Sequence, residues 1–295
     1  MHAQVVKLFG EGKYDEALPL AKRVLEIREK ALPPDHQLID VSLANLAAVY
    51  TEKRKHNEAE PLYQKLLGRY EKKFGPENLK LSKVLDSLAV LRFVKGDDAK
   101  AEALFQRALS IRERNLGVEH KDVTQALRNL AEFYQVKTDY KKAEPLYQRI
   151  IATTEKSLGA THQEVTEALQ RYACLMRKSK REDEAEKLDA RVAANLSTSL
   201  ANKSDVGDVI NGTAISKPAP AYPEEAKQAR VSGTVWVKLV VDETGKVIIA
   251  CAVSGHALLR QAAERAAYGA RFTPTLLSGQ PVKVSGVITY NFVLR

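Results

Sequence analysis

Long apolar runs are missing from this 295-residue chain. Nowhere do the roughly 18 consecutive apolar residues of a membrane helix occur, so these residues include no membrane span. Cysteine is nearly absent. Cys174 and Cys251 fall in different parts of the chain, without CxxC or Cys/His spacing. That excludes zinc-finger and thioredoxin-type motifs, and each is read as a buried free thiol. Tryptophan occurs once, at Trp236. No Ser/His/Asp or Cys/His set sits at a recognisable elbow. There is no glycine-rich phosphate loop and no pair of acids in a motif. The chain is therefore read as non-enzymatic, with no cofactor and no metal. The formal net charge of +9 is spread out: Lys and Arg alternate with Glu in "EIREKAL" (26–32) and "SKREDEAEK" (179–187). A nucleic-acid partner would call for a concentrated basic stripe, so none is expected, and these charges are read as solvated helix faces.

What is present is a ladder. Ala17, Ala59, Ala101, Ala143 and Ala185 recur every 42 residues, followed at +3 by Leu20, Leu62, Leu104, Leu146 and Leu188. At +7 stand Val24, Leu66, Ala108, Ile150 and Val192. Offsets of 0, 3 and 7 share one face of an α-helix. A second ladder precedes the last four rungs: Leu43-x-x-Leu46-Ala47, Leu85-x-x-Leu88-Ala89, Leu127-x-x-Leu130-Ala131 and Leu169-x-x-Tyr172-Ala173. Each repeat is thus two amphipathic helices, A then B, and such hairpins bury their apolar faces only by stacking. Subtracting 42 from Ala47 and Tyr50 lands on Val5 and Leu8. Residues 1–9 are therefore read as the end of a helix A whose first half is absent, in a chain that starts inside a repeat or continues a longer protein.

These residues resemble the tetratricopeptide repeat (TPR) in Leu43…Leu46-Ala47…Tyr50…Ala59…Tyr63 and Leu127…Leu130-Ala131…Tyr134…Ala143…Tyr147. The 42-residue period, "AEPLYQKLL" (59–67), "ALSIRERNLGVEH" (108–120) and "NLAEFY" (129–134) resemble the kinesin-light-chain variety. The resemblance implies an α-solenoid whose A helices line a peptide-binding groove. Asn45 and Asn129 match positions where such repeats grip a peptide backbone, since an amide both donates and accepts; the other reading is that they bond between repeats. Ser87 and Arg171 occupy the same register, with Asp86, Arg128, Glu132 and Gln170 beside them. A clamp for a C-terminal carboxylate is not expected, because Asp86 and Val90 stand where it uses Lys and Asn.

Asp15, Asn57, Asp98 and Asp183 are candidate N-caps of the B helices. Pro19, Pro61 and Pro145 are expected within the first turn of theirs, where backbone N–H groups lack intrahelical partners. Gly75, Gly117 and Gly159 suit helix C-termini. His36, His120 and His162, with Asn78 in the fourth copy, recur at one turn position and are read as capping or turn-bonding residues rather than metal ligands. The last B helix, from about Asp183 to Leu196, is read as a terminal cap.

Periodicity then stops. Residues 197–221, rich in Ser, Ala, Gly and Pro, read as a linker and an extended lead-in. After a short helix at 223–230 the period becomes two. Val235, Val237, Leu239 and Val241 alternate with Thr234, Trp236, Lys238 and Val240, and "DETG" (242–245) turns into a second strand from Val247 to Val253. A helix carrying Leu259, Ala263, Ala266 and Ala270 follows, then a final strand from Val282 to Leu294. Its Val284, Ile288, Tyr290 and Phe292 are expected in the core. Trp236 is expected on the sheet face opposite the helices, either packed on the lead-in or marking a partner patch.

"APAYPEEAKQARVSGTVWVKLVVDETGKV" (219–247), "VSGHALLRQAAERA" (253–266), "RFTPTLLSGQPV" (271–282) and "ITYNFVL" (288–294) resemble the TonB C-terminal domain family. That resemblance implies a small α+β domain with a three-stranded antiparallel sheet, so the fold class is an all-α TPR superhelix followed by this domain. The expected domains are 1–197, a linker at 198–216, and 217–295. The resemblance also implies that the final strand is a sheet edge which pairs with an extended segment of an outer-membrane receptor, a β-augmentation. Its candidate residues are Lys283, Ser285, Val287, Thr289 and Asn291, with Tyr222 and Pro223 in the lead-in. In TonB itself a membrane helix and a proline-rich spacer come first, and a glutamine stands at the place of Ala219. The expected function is a periplasmic protein-interaction scaffold. The alternatives are an energy-transducing component of TonB-dependent transport whose anchor lies outside this chain, and a cytoplasmic cargo or signalling adaptor. A homodimer through the C-terminal domain is a further expectation.

Overall fold

The computed structural model describes residues 1–201, 209–210, 213–277 and 279–294. Internal contacts divide the chain into two compact units, 1–153 and 154–295. The first holds α1 (His2–Gly10), α2 (Tyr14–Ala31), α3 (Gln37–Glu52), α4 (His56–Phe74), α5 (Lys80–Val94), α6 (Asp98–Leu116), α7 (Lys121–Val136) and the larger part of α8 (Tyr140–Leu158). Odd-numbered helices are A and even-numbered ones B, as in a TPR solenoid. The alanine ladders explain the packing. Ala17, Ala59, Ala101, Ala143 and Ala185 on the B helices, and Ala47, Ala89, Ala131 and Ala173 on the A helices, are all wholly buried. Without a large side chain between them, paired helices approach closely and interlock their leucines. Val5 and Leu8 are buried on α1, as the shifted register requires.

The A-to-B turn has the same hydrogen bond in all five copies. Lys13, Lys55, Asp97, Asp139 and Arg181 donate their N–H to the carbonyls of Leu8, Tyr50, Arg92, Tyr134 and Met176 at 2.8–2.9 Å. This closes a Schellman motif and requires a left-handed residue just before each donor. Gly12, Arg54, Gly96, Thr138 and Lys180 supply it, with φ between 56° and 80°. The helices therefore start earlier than the cap reading expects. Lys13, Lys55 and Asp97 precede α2, α4 and α6 and make no side-chain cap bond. Asp15 and Asp98 instead lie in first turns, where their charge suits the helix dipole. Pro19, Pro61 and Pro145 are each the sixth residue of their helix, not part of its first turn. At α3, α7 and α9 the cap reading stands: Nδ1 of His36, His120 and His162 accepts from Leu38, Asp122 and Glu164 N–H at 3.1–3.2 Å. His256 caps a later helix in the same way. Asn78, one residue before the cap position of α5, bonds within the turn, its Oδ1 accepting from Lys80 N–H at 3.1 Å.

The second unit contains α9 (Gln163–Lys178) and α10 (Glu182–Ala201), followed by the β-rich domain. Much of the expected linker 198–216 lies outside the described residues. Its latter part contributes β1 (Val209–Ile210) and β2 (Ala214–Ser216). Then come α11 (Glu224–Gln228), β3 (Gly233–Val241), β4 (Val247–Ala252), α12 (Ala257–Gly269), β5 (Arg271–Phe272), β6 (Thr275–Leu277), β7 (Gln280–Val282) and β8 (Val284–Phe292). The main sheet is antiparallel in the order β4-β3-β8, beside small sheets β1-β6-β7 and β2-β5. The expected single strand 282–294 is two strands, because Val282 closes a hairpin on Thr275 while β8 pairs with β3 from Val284 onward. Val235, Val237, Leu239, Ile288, Tyr290 and Phe292 bury one sheet face together with Leu259, Ala263 and Ala267 of α12. The β3–β4 turn needs glycine: Gly245 has φ +85°, and a Cβ there would stand 1.8 Å from the Phe272 carbonyl oxygen.

The free-thiol reading is corrected. Cys174 of α9 and Cys251 of β4 form a disulfide, with Cα atoms 5.7 Å apart. Their 77-residue separation disguised the pairing, since connectivity follows from the fold and not from spacing.

Candidate peptide-binding surfaces

In the first unit the expected groove residues lie half-buried on successive A helices: Asn45 on α3, Asp86 and Ser87 on α5, and Arg128, Asn129 and Glu132 on α7. Asn45 Nδ2 lies 3.4 Å from His2 Nδ1. Ser87 donates its hydroxyl to the Lys83 carbonyl one turn back at 3.1 Å, so it serves its own helix. Asn129 Oδ1 accepts from Gln125 at 2.8 Å. Asp86 accepts from Arg112, which reaches over from α6 and is only 6% exposed. Burial pushes the Asp86 carboxyl above the usual aspartate range, against the opposing pull of Arg112 and Asn129. Arg112, in "SIRER" of α6, was not anticipated as the partner of Asp86, because it lies on a B helix and the groove is read from the A helices. Arg28, in the similar "EIREK", likewise crosses to a helix A, donating to Ser42 at 2.9 Å.

The C-terminal candidates divide into two groups. Lys283 pairs with Glu167 of α9 at 2.8 Å, and Ser285 Oγ accepts from Gln170 of α9 at 3.0 Å. Burial works against the Lys283 ammonium, but Glu167, aided by Glu243 and Glu164, outweighs it and raises its pKa. Arg171, expected in the groove, instead donates to the Ile248 carbonyl on β4 at 3.1 Å. The remaining edge residues, Val287, Thr289 and Asn291, are exposed on β8.

Backbone phase decides what β8 offers. The Trp236 carbonyl accepts from Val253 N–H on the β4 side at 2.8 Å. Trp236 therefore directs its backbone away from β8, and its register partner Thr289 is a non-hydrogen-bonded pair. The N–H and C=O of Thr289, and by alternation those of Val287 and Asn291, point away from β3. Among the described residues β8 pairs with β3 alone, and Lys217 Nζ donates to the outward Thr289 carbonyl at 2.7 Å. Trp236 is 53% and Val287 56% exposed. Tyr222 is structural: its hydroxyl donates to the Val231 carbonyl and its ring meets Phe292 edge-on at 5.5 Å. Pro223 precedes the first turn of α11. Cys174, Cys251 and Glu264 form the one cluster of metal-type donors among the described residues, but its two sulfurs are bonded to each other.

The helical ladder agrees with comparisons to known proteins. Residues 8–72, 40–114 and 122–197 match the tetratricopeptide repeat profile, together more than half of the chain. The chain belongs to the tetratricopeptide repeat family. Residues 218–294 match the Gram-negative bacterial TonB protein C-terminal profile. Among solved structures, a Podosopora anserina protein with nearly identical, kinesin-light-chain TPR-like repeats superposes with a TM-score of 0.61 at 22% identity, covering 67% of this chain and 94% of that one. BtubC (BKLC) of P. vanneervenii superposes at 0.59 and 17% identity, over 73% of this chain and 85% of that one. At such identities the likeness speaks for the fold alone. No curated protein sequence matches the chain significantly. A TPR protein ending in a TonB-type domain has a protein-interaction role, and both domain types are generally non-enzymatic. The TonB-type domain points to the Gram-negative envelope, and among the described residues no helix is long and apolar enough to cross a membrane.

Proposed function

We propose that this TPR protein is a periplasmic interaction scaffold, with its A-helix groove taking a peptide and β8 taking an extended segment by β-augmentation. The observation that carries the second part is the one-sided pairing of β8, with the backbone of Thr289 directed outward. An added strand completes a ladder there, while Val287 and Trp236 supply apolar contacts beside it. The periplasm is supported by the Cys174–Cys251 disulfide, since such bonds persist in oxidising compartments and are rare in the cytosol. The half-buried Asn45, Asp86, Ser87, Arg128, Asn129 and Glu132 support the groove. The partner that fits the edge is an extended periplasmic segment of an outer-membrane receptor. NMR titration of the full chain with such a peptide tests this. Shifts centred on Val287–Asn291 are expected; no shift there at saturating peptide overturns the edge assignment.

A further inference from the structure

One face of α9 contacts the β-rich domain through five residues. Glu167, Gln170, Arg171, Cys174 and Lys178 follow helical spacing and form a single stripe. Their partners are Lys283, the Ser285 hydroxyl, the Ile248 carbonyl, Cys251 and Glu264. Lys178 meets Glu264 at 2.8 Å, and Glu264 also accepts from the Ala252 N–H at 2.9 Å. From α10, Asp189 accepts from Lys238 at 2.7 Å.

Arg171 is in register with Asn45, Ser87 and Asn129, the positions read as gripping an extended peptide backbone. Here it grips a backbone carbonyl of its own chain. The carbonyl is available because the β3–β4 ladder skips Ile248: Val240 pairs with Ile249 and Val241 with Val247. That bulge releases one residue from strand pairing, and the guanidinium takes its oxygen. The last repeat thus makes toward β4 the contact that the other copies are read as offering to an outside partner.

We infer that the chain's own sheet is the resident ligand of the last repeat, latched by the Cys174–Cys251 disulfide. The inference rests on the reading of helix A as the ligand face. It means that an outside peptide uses the copies at Asn45, Asp86–Ser87 and Asn129, while α9 is already filled. It also limits the free edge to Val287–Asn291, because Lys283 and Ser285 are engaged by α9. Closing the latch removes two protons and two electrons from the thiols and passes them to another disulfide, which leaves as a dithiol. A dithiol reductant reverses the step. With both sulfurs buried, that exchange waits for the seat to open.

Hydrogen–deuterium exchange on the free full-length protein tests this without any partner, so its outcome is independent of whether the groove or the edge binds peptide. The oxidised chain, its 174–251 link verified by peptide mass, is compared with the chain reduced by a phosphine and with Cys174→Ser/Cys251→Ser. Severalfold faster exchange over 163–178 and 247–252 on reduction is expected, with the α12 amides unchanged. Lys283→Glu in the reduced chain should loosen the seat further, and adding Glu167→Lys should restore it. Exchange over 163–178 that is the same in oxidised, reduced and Lys283→Glu chains overturns the inference.

Discussion

Arg112 of α6 donates to Asp86 of α5 while almost wholly out of solvent. A buried pair of this kind is worth little against an apolar replacement, yet breaking one side leaves an uncompensated charge. Arg112→Met should therefore cost about 3–5 kcal/mol, and Asp86→Leu/Arg112→Met together distinctly less, as read by denaturant unfolding. The pH dependence has a definite sign. With the Asp86 carboxyl raised chiefly by burial, the native state holds its proton to higher pH than the unfolded chain does. Its contribution is most favourable in acid and is lost as pH rises from the ordinary aspartate value through the raised one. As pH falls through the raised range toward the ordinary aspartate value, the wild type should gain stability relative to Asp86→Asn.

The A-to-B turn yields a second prediction. Thr138 is β-branched and sits at φ +59°, where Gly12 and Gly96 serve in other copies. A left-handed conformation costs a non-glycine residue roughly 1–2 kcal/mol, and glycine returns part of this as unfolded-state entropy. Thr138→Gly should thus stabilise the protein by about 0.5–1 kcal/mol, measured by thermal unfolding, whereas Gly96→Val should destabilise it.

That turn also marks how far the sequence could be read. The alanine ladder was legible because helix pairs meet at one point per repeat and tolerate only small side chains there. The left-handed step was not, because Arg54, Thr138 and Lys180 hide a position that glycine would have announced. The core alternation of β8 was legible from its period of two, while the break at Lys283 was not, since both sides of it read as extended chain. Within the candidate surfaces, register places Asn45, Asp86 and Asn129 on successive A helices, while their role as groove residues comes from the family resemblance and stays a proposal. Arg112 and the disulfide come from long-range packing that no local pattern encodes, as does the turning of Gln170, a groove candidate by sequence, onto Ser285.

A third prediction concerns the connection between the repeats and the β-rich domain, with the boundaries proposed as 1–197, 198–216 and 217–295. Protease should cut first within 198–216, which is rich in small and polar residues. The products should stay joined on a non-reducing gel and separate on a reducing one, because Cys174 and Cys251 lie on opposite sides of the cut. Separation without reductant would show that the bond is absent in solution. Protection of the whole stretch would argue against a linker.

The last prediction tests the edge itself. Proline removes one backbone N–H, so its effect depends on which way that N–H points. At Thr289 it points away from β3; at Ile288, whose register partner is Val237, it points into the ladder. Thr289→Pro should leave circular dichroism and thermal midpoint close to wild type while abolishing peptide pairing. Ile288→Pro should break the sheet, because Ile288 is also a core residue. Lys217 adds a graded version of the same test. Its ammonium covers the Thr289 carbonyl and lies 5.1 Å from the Tyr290 ring centroid, a protection that exposed edges commonly need. Lys217→Ala should uncover the carbonyl and strengthen pairing, either with the added peptide or, in its absence, with a second copy of the chain. Light scattering separates those two events. If Thr289→Pro binds peptide as well as wild type and Lys217→Ala changes neither affinity nor mass, β8 is not the docking strand.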